Sequence, residues 1–336
     1  MYHERYGFKS GVNGTIRADL KSVVEDALGW FPDPRGWLDI ASNDGTLLSN
    51  VPERVHRTGI DPVAKYCVEA EQYADRIVND FFDQKHFRPG EFDVVTSVSM
   101  FYDLDDPNEF VNGVQRVLAE DGVWVIQQNY LLATLELGAV DNVCHEHLTY
   151  FSLLALEHLL DRHGLEVVDV STSPVNGGSF RTVVARRGAY AVRSSVAAQR
   201  DRELDAAVDT IHPYRVFERR VRRNLADLKA LIDGLNAQGK RVYIYGASTR
   251  GGTIWQAAGL TVDDLPKAVE RNPEKVGKRI ASIGVPIISE EQAREEHPEY
   301  MLVSPWFFRD EFVEREADYL ASGGRFIWPL PRLEVS

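Results

Sequence analysis

The sequence is short of sulfur and has no excess of positive charge. Cys67 and Cys144 are its only cysteines. They form no C-x-x-C pair, so a cysteine-based structural zinc is not indicated, and one pair is a poor basis for a disulfide framework. No apolar run reaches the roughly 18 residues that a membrane helix needs. The opening MYHERYGFKSGVNG has neither the apolar core nor the cleavage site of a signal peptide, and a cytoplasmic protein is expected. A net charge of −13 lacks the basic footprint of a general nucleic-acid binder. Internal repeats and low-complexity segments are missing too. What is present is 336 residues, 44% apolar and 26% charged, enough for two soluble domains with sizeable cores.

Residues 18–29 (DLKSVVEDALGW) read as an amphipathic helix, and residues 1–14 as an arm before it. Short apolar runs then alternate with helical stretches. GWLDIAS (36–42), RTGID (57–61), RIVN (76–79), FDVVTSV (92–98) and GVWVIQQ (122–128) read as strands of a parallel α/β sheet. LEVVDVSTS and GSFRTVVARRG (165–188), joined by PVNG, predict an antiparallel hairpin at its edge. Five βα units with a terminal hairpin fit a Rossmann-like class I methyltransferase domain over 15–190 better than a dehydrogenase domain. Residues 191–239 are rich in Arg, Ala, Glu and Asp and read as a helical linker, its arginines a solvated face. From KRVYIYGAS onward the strand-turn-helix pattern restarts, giving a smaller Rossmann-like α/β domain over 240–336, expected to bind substrate.

The loop LDIASNDGTLL (38–48) follows a strand and is expected to open a helix. A dinucleotide fold would place G-x-G-x-x-G here to bring amides to a pyrophosphate. This loop, Ala41, Ser42, Asn43, Asp44 and Gly45, has one glycine and an acid. A carboxylate at a helix N-terminus competes with phosphate for the same dipole and amides. A cationic ligand without phosphate suits it better, and S-adenosylmethionine, with its sulfonium and α-amine, is one. Asp61 ends the second strand, 20 residues after Ala41, where a carboxylate can accept both ribose hydroxyls. Asp80 ends the third, where an adenine amine would lie. Alternatively, Asp44 caps a helix and Asp61 sits in a turn before Pro62.

The run HEHLTYFSLLALEHLL starts with His145, Glu146 and His147. Histidines two apart share a face of an extended segment, unlike H-E-x-x-H on a helix, and no third ligand stands near to hold a metal. Imidazoles flanking a carboxylate suit proton transfer; the plainer alternative is a loop tied to its neighbours.

With these segments the sequence resembles the S-adenosylmethionine-dependent sugar C-methyltransferases, which act on nucleotide-linked 4-keto-deoxyhexoses in antibiotic and surface-sugar pathways. The likeness is carried by DIASNDGTLL, by DNVCHEHLTYFSLLALEHLLDRHGLEVVDV, by NGGSFR (176–181), and by the series YGASTRGGT, VERNPEKVGK, PIIS, VSPWFFRDEF and GGRFIWPLP. The resemblance implies Glu146 and His147 in an active site and the cofactor on the 41–46 loop and Asp61; His145 and Tyr102 are further catalytic candidates of this sequence. For a 4-keto sugar a base-generated enolate is expected, with His147 removing a proton, Glu146 holding its tautomer, and a protonated His145, Tyr102 or Tyr150 donating to the ketone oxygen. A tyrosine near the substrate matches Tyr6, and Asn176, Gly177 and Arg181 fall on a shared motif. The family usually opens with a cysteine-bearing zinc domain that this sequence does not show. It commonly has a tyrosine where Cys144 stands, and a histidine where SMFYDL offers Tyr102 and Asp103. These departures leave open O- or N-methylation of a sugar or other small natural product, or a relative altered in its chemistry. A monomer or homodimer is expected, with no nucleic acid, membrane or metal as partner.

YIYGASTRGGTIWQ (243–256) is the second glycine loop. Gly246, Gly251 and Gly252 permit close backbone approach, Ser248 precedes a helix, Arg250 adds positive charge, and no acid lies within the loop. A nucleotide diphosphate fits there, helped by Lys275. A plain strand-to-helix turn with a surface arginine is the alternative.

Overall fold

A computed structural model describes the chain from Tyr6 to Ser336. It forms two compact units. The first holds the chain as far as Leu132 and then Glu146–Val208; the second holds Ala133–His145 and Asp209–Ser336.

In the first unit, α1 (Gly14–Trp30) precedes β1 (Gly36–Ile40), β2 (His56–Ile60), α2 (Ala64–Ala70), β3 (Arg76–Val78), β4 (Phe92–Val98), α3 (Pro107–Val117) and β5 (Leu118–Asn129). The chain then leaves through α4 (Leu131–Leu137) and returns into α5 (Leu153–Asp161), β6 (Leu165–Ser173), β7 (Ser179–Arg186) and α6 (Ser194–Asp205). The sheet runs β3-β2-β1-β4-β5-β7-β6, with β1 to β5 parallel and β7 antiparallel to both its neighbours. This is the Rossmann-like sheet with an edge hairpin that the sequence predicts. Strand order reverses between β1 and β4, and ligands of open α/β sheets bind outside the carboxyl ends of the strands at such a point. The loops after β1, β2 and β4 all emerge there.

Local chemistry sets the element ends. Asn13 caps α1 by accepting from the Ile16 amide, and Asp106 caps α3, whose first turn carries Pro107. α1 buries Ile16, Leu20, Val23, Val24 and Ala27, one stripe of an amphipathic helix. Arg181 on β7 is spent on α1. It donates to Gln127 Oε1 (2.8 Å), to Ser22 O (3.1 Å) and Oγ (2.8 Å), to Asp19 (3.5 Å) and to Asp26. Those contacts use all five guanidinium hydrogens, so its place is beneath the helix and not at a substrate.

The second unit contains α7 (His212–Ala237), β8 (Val242–Tyr245), α8 (Thr249–Ala257), β9 (Ala268–Glu270), β10 (Ile287–Ser289), α9 (Glu290–Glu296), β11 (Tyr300–Val303), α10 (Arg309–Arg315), α11 (Ala317–Ala321), β12 (Arg325–Trp328) and β13 (Glu334–Val335). Its sheet runs β10-β9-β8-β11-β12-β13 and is parallel except for β13. The stretch read as one linker is divided between the units. α6 packs on β6 through Val196, and α7 buries Val221, Leu225, Leu228, Ile232 and Leu235 in the second core. The arginines of α7 face outward, except that Arg220 also donates to Glu136 O (3.0 Å) and Leu135 O. Among the described residues no helix is long and apolar enough to cross a membrane.

Arg181→Met should destabilise the protein by about 3 kcal/mol in urea unfolding, because it strands the buried Asp19 carboxylate. Adding Asp19→Asn should recover a large part of that loss.

Candidate active site

Past Ile40 the backbone enters the left-handed region at every second residue: Ala41 (φ 59°), Asn43 (φ 49°) and Gly45 (φ 79°). A residue with a Cβ pays of order 1–2 kcal/mol for that conformation. The loop therefore has the backbone of a glycine-rich turn with a single glycine in it. Its neighbours hold it. Ala41 and Ser42 donate to Ile60 O at 2.9 and 3.2 Å. Asn43 donates its amide to Asp61 Oδ2 at 2.9 Å, and Asp61 Oδ1 accepts from the Val63 amide at 2.8 Å. The missing Cβ of Gly59 leaves room for Ser42, whose Oγ lies 2.7 Å from where that carbon would be. Asp61 is buried, and desolvation pushes its pKa up against the pull of these two amides.

The structure corrects the expectation for Asp44. The loop runs into a short 3-10 turn, Leu48–Asn50, and opens no α-helix, so no helix dipole acts on this carboxylate. Asp44 Oδ1 accepts from Thr46 N (3.2 Å) and Oγ1 (2.6 Å), and Oδ2 accepts from Gly11 N at 2.9 Å. Asp80 is more than half exposed and pairs with His86 Nε2 at 3.1 Å. Its neighbour Asn79, which the sequence did not single out, donates to Asp61 O at 3.0 Å. Asp39, also passed over, lies buried on β1 and accepts from Thr96 Oγ1 at 2.7 Å. Burial, together with the charge of Asp61, pushes its carboxyl up to about 7.

The return segment is fastened to the turn after β4. The amides of Leu148 and Thr149 both donate to Tyr102 O at 3.0 Å, and the His147 ring sits 4.4 Å from the Tyr102 ring, tilted by 55°. Glu146 and His147 are half-buried, whereas His145 is exposed and the division between the units falls between His145 and Glu146. Tyr150 is half-buried. Tyr6 is brought to the same place. Burial raises the pKa of its phenol, as do the charges of Glu146, Asp103 and Asp61 and the neighbouring Tyr66. The result is a neutral hydroxyl among acids, suited to donate a hydrogen bond.

Glu203 was not read as functional, yet this carboxylate on α6 is completely buried. It accepts from Leu153 N (2.5 Å), Leu154 N (2.9 Å) and the Tyr130 hydroxyl (2.7 Å). Leu131 N donates to Phe151 O at 3.0 Å beside it. Exit and return of the 131–152 excursion are thus pinned together at its base. The NGG of 176–178 is a turn with φ of 56°, 80° and 106°, and Gly178 O accepts from Tyr130 N at 3.1 Å.

Within the second unit, Gly246 (φ 88°) lies against Pro305, and Ser248 caps α8 by accepting from Gly251 N at 3.0 Å. Arg250 donates to Asp141 Oδ2 at 2.6 Å and stacks on Phe307, 4.5 Å from its centroid; Trp306 Nε1 donates to the same oxygen at 3.1 Å. Lys275 donates to Ala247 O (2.9 Å) and Glu270 (3.1 Å). The loop has no acid of its own, but Asp141, 109 residues away, is brought to Arg250, and Glu270, five residues away, pairs with Lys275. Among the described residues, no three His, Cys, Asp or Glu side chains are grouped so as to hold a metal ion.

Residues 12–170 match the family described as methyltransferase domain, and residues 174–331 the family described as C-methyltransferase C-terminal domain. C-methyltransferase NovU of Streptomyces niveus is 36% identical over 236 residues, 70% of this chain and 56% of that protein. The match thus spans little more than half the length of that relative. The 1,6-didemethyltoxoflavin-N1-methyltransferase of Burkholderia thailandensis covers 51% of this chain and 79% of its own, with 16% identity and a TM-score of 0.41. A methyltransferase from Aquifex aeolicus covers 50% of this chain and 97% of its own, with 14% identity and a TM-score of 0.36.

Asp39 gives a pH test. Its folded pKa lies above its unfolded value, so the folded state binds the extra proton and stability falls as pH rises from about 4 to 7. Asp39→Asn should flatten that slope in ligand-free protein, adding about 1–3 kcal/mol at pH 8 and nothing at pH 4 in urea unfolding.

Proposed function

We propose that the chain, whose residues 174–331 match the C-methyltransferase C-terminal domain and 12–170 a methyltransferase domain, methylates carbon in a nucleotide-linked 4-keto-deoxysugar, using S-adenosylmethionine. The observation that carries this reading is the gathering of Tyr6, Tyr102, Glu146 and His147 at the strand ends that also hold the 41–46 loop and Asp61.

The loop fits the cofactor. Ala41 to Gly45 present no cation, and each Asp61 oxygen has given one lone-pair direction to an amide, leaving the other for a ribose hydroxyl. Asp80 remains the candidate for the adenine amine. S-adenosylmethionine supplies a methyl group already activated on a sulfonium centre.

The remaining chemistry belongs to the chain. A carbon beside a ketone is acidified, and His147 takes its proton while the electron pair spreads onto the ketone oxygen. Tyr102, or Tyr6 with its raised pKa, donates a hydrogen bond to that oxygen. Glu146 keeps His147 in its working tautomer. Carbon–methyl bond formation would then accompany cleavage of the methyl–sulfur bond and release of S-adenosylhomocysteine, and placement within near-attack distance would contribute most of the acceleration. Within the second unit, the loop at Gly246 and Ser248 leading into α8 is proposed as a nucleotide-diphosphate site. With Arg250 matched by Asp141 and Lys275 by Glu270, backbone amides and shape contribute more there than net positive charge. Such a reaction belongs to the making of antibiotic or surface sugars.

His147→Ala should lower turnover by at least about 10³-fold, at the upper end of general-base effects, while affinity for S-adenosylhomocysteine changes less than about threefold. The substrate carbon beside the ketone should exchange its hydrogen with deuterated solvent in the native enzyme and not in the variant. A methylated product that retains that hydrogen would show oxygen or nitrogen methylation instead.

A further inference from the structure

The segment from Tyr6 to Asn13 is tied to the 41–46 loop by a ladder of contacts. The Asn43 side chain donates from Nδ2 to Phe8 O at 3.1 Å and accepts at Oδ1 from Ser10 N at 3.0 Å. It matches one acceptor and one donor two residues apart, as a neighbouring strand would. Next to it, Asp44 Oδ2 accepts from Gly11 N, so close that a Cβ on Gly11 would lie 2.7 Å from that oxygen. Lys9 pairs with Glu69 on α2, and the Tyr66 hydroxyl donates to Tyr6 O at 3.1 Å. These ties end at Tyr6, whose phenol lies within electrostatic reach of Glu146 and Asp103.

We infer that Asn43 is a positioning residue: its side-chain amide latches the amino-terminal arm to the cofactor loop and so sets where the Tyr6 hydroxyl stands in the acceptor site. Only an amide side chain of this length offers both a donor and an acceptor here; aspartate would face Phe8 O with a lone pair, and serine would not reach both groups. Asparagine also tolerates the left-handed backbone that the loop requires. The same residue therefore satisfies the loop and fastens the arm. Its influence on the reaction passes through Tyr6, which rests on the function proposed above.

Asn43→Gly separates these roles, because glycine takes φ 49° without strain and only the amide is lost. Hydrogen exchange on the full-length, ligand-free protein reads the latch directly. The Ser10 and Gly11 amides should exchange at least about tenfold faster in the variant; unchanged protection overturns the latch. Turnover of a nucleoside diphosphate 4-keto-6-deoxyhexose with S-adenosylmethionine reads the consequence. Asn43→Gly should lower kcat and raise the acceptor KM, and the double variant with Tyr6→Phe should be no slower than Tyr6→Phe alone. Losses that multiply in the double variant would mean that Asn43 acts independently of Tyr6, and would overturn the positioning role. Full activity of Tyr6→Phe would remove Tyr6 from the proposed reaction, and the positioning role with it, while leaving the exchange result to stand by itself.

Discussion

One hydrogen bond organises the first unit's site: the Asn43 amide to the buried Asp61 carboxylate. The loop after β1 adopts a backbone that Ala41 disfavours, and it persists because its amides are claimed by β2 and by the acid at the end of β2. Strain of this kind is kept where the surroundings over-determine the geometry. Here the surroundings are β2 and the acid that follows it, beside β1 and the point where strand order reverses. From that fixed loop the Asn43 side chain reaches the arm, Asp44 reaches Gly11, and Asn79 backs Asp61 from the far side.

The His-Glu-His segment depends on a comparable device. A chain that leaves a unit after Leu132 and comes back at Glu146 has no reason in its local sequence to return at a fixed height. Glu203 supplies one by accepting from the exit, at Tyr130, and from the first turn of α5 at the return. Tyr102 O fixes the stretch between, through Leu148 and Thr149. A buried carboxylate is costly unless fully bonded, and two backbone amides and a phenol satisfy this one.

Much of the fold could be read from the sequence because its signals are local. The strand at Phe92–Val98 coincides with its apolar run, and the hairpin follows from two β-rich runs with a four-residue connection. For the proposed site, position was legible where residues are contiguous, as in His145–His147, or follow a strand, as Asp61 does. It was illegible where the partner is remote. Arg250 looks like an anion site until Asp141, 109 residues away, is placed against it. Arg181 looks like a ligand residue until α1, more than 150 residues earlier, is found to take its hydrogens. The helix expected after Gly45 failed for a different reason: the left-handed residues there redirect the chain into a 3-10 turn, and Ala41 carries no outward sign of such a backbone. Residues 191–239 read as one linker because a polar helical composition hides two different buried faces, Val196, Gln199 and Glu203 on α6 and an apolar stripe on α7.

The account stands or falls on Asp61 facing the ribose of an adenosyl cofactor across the strained loop. Calorimetric titration of S-adenosylhomocysteine into the native protein and into Asp61→Asn tests it most directly. One site per chain is expected, with affinity at least about tenfold weaker in the variant, as for losing a charged hydrogen bond of about 1.5–3 kcal/mol. No heat of binding to the native protein, or equal affinity in a folded Asp61→Asn, would contradict it.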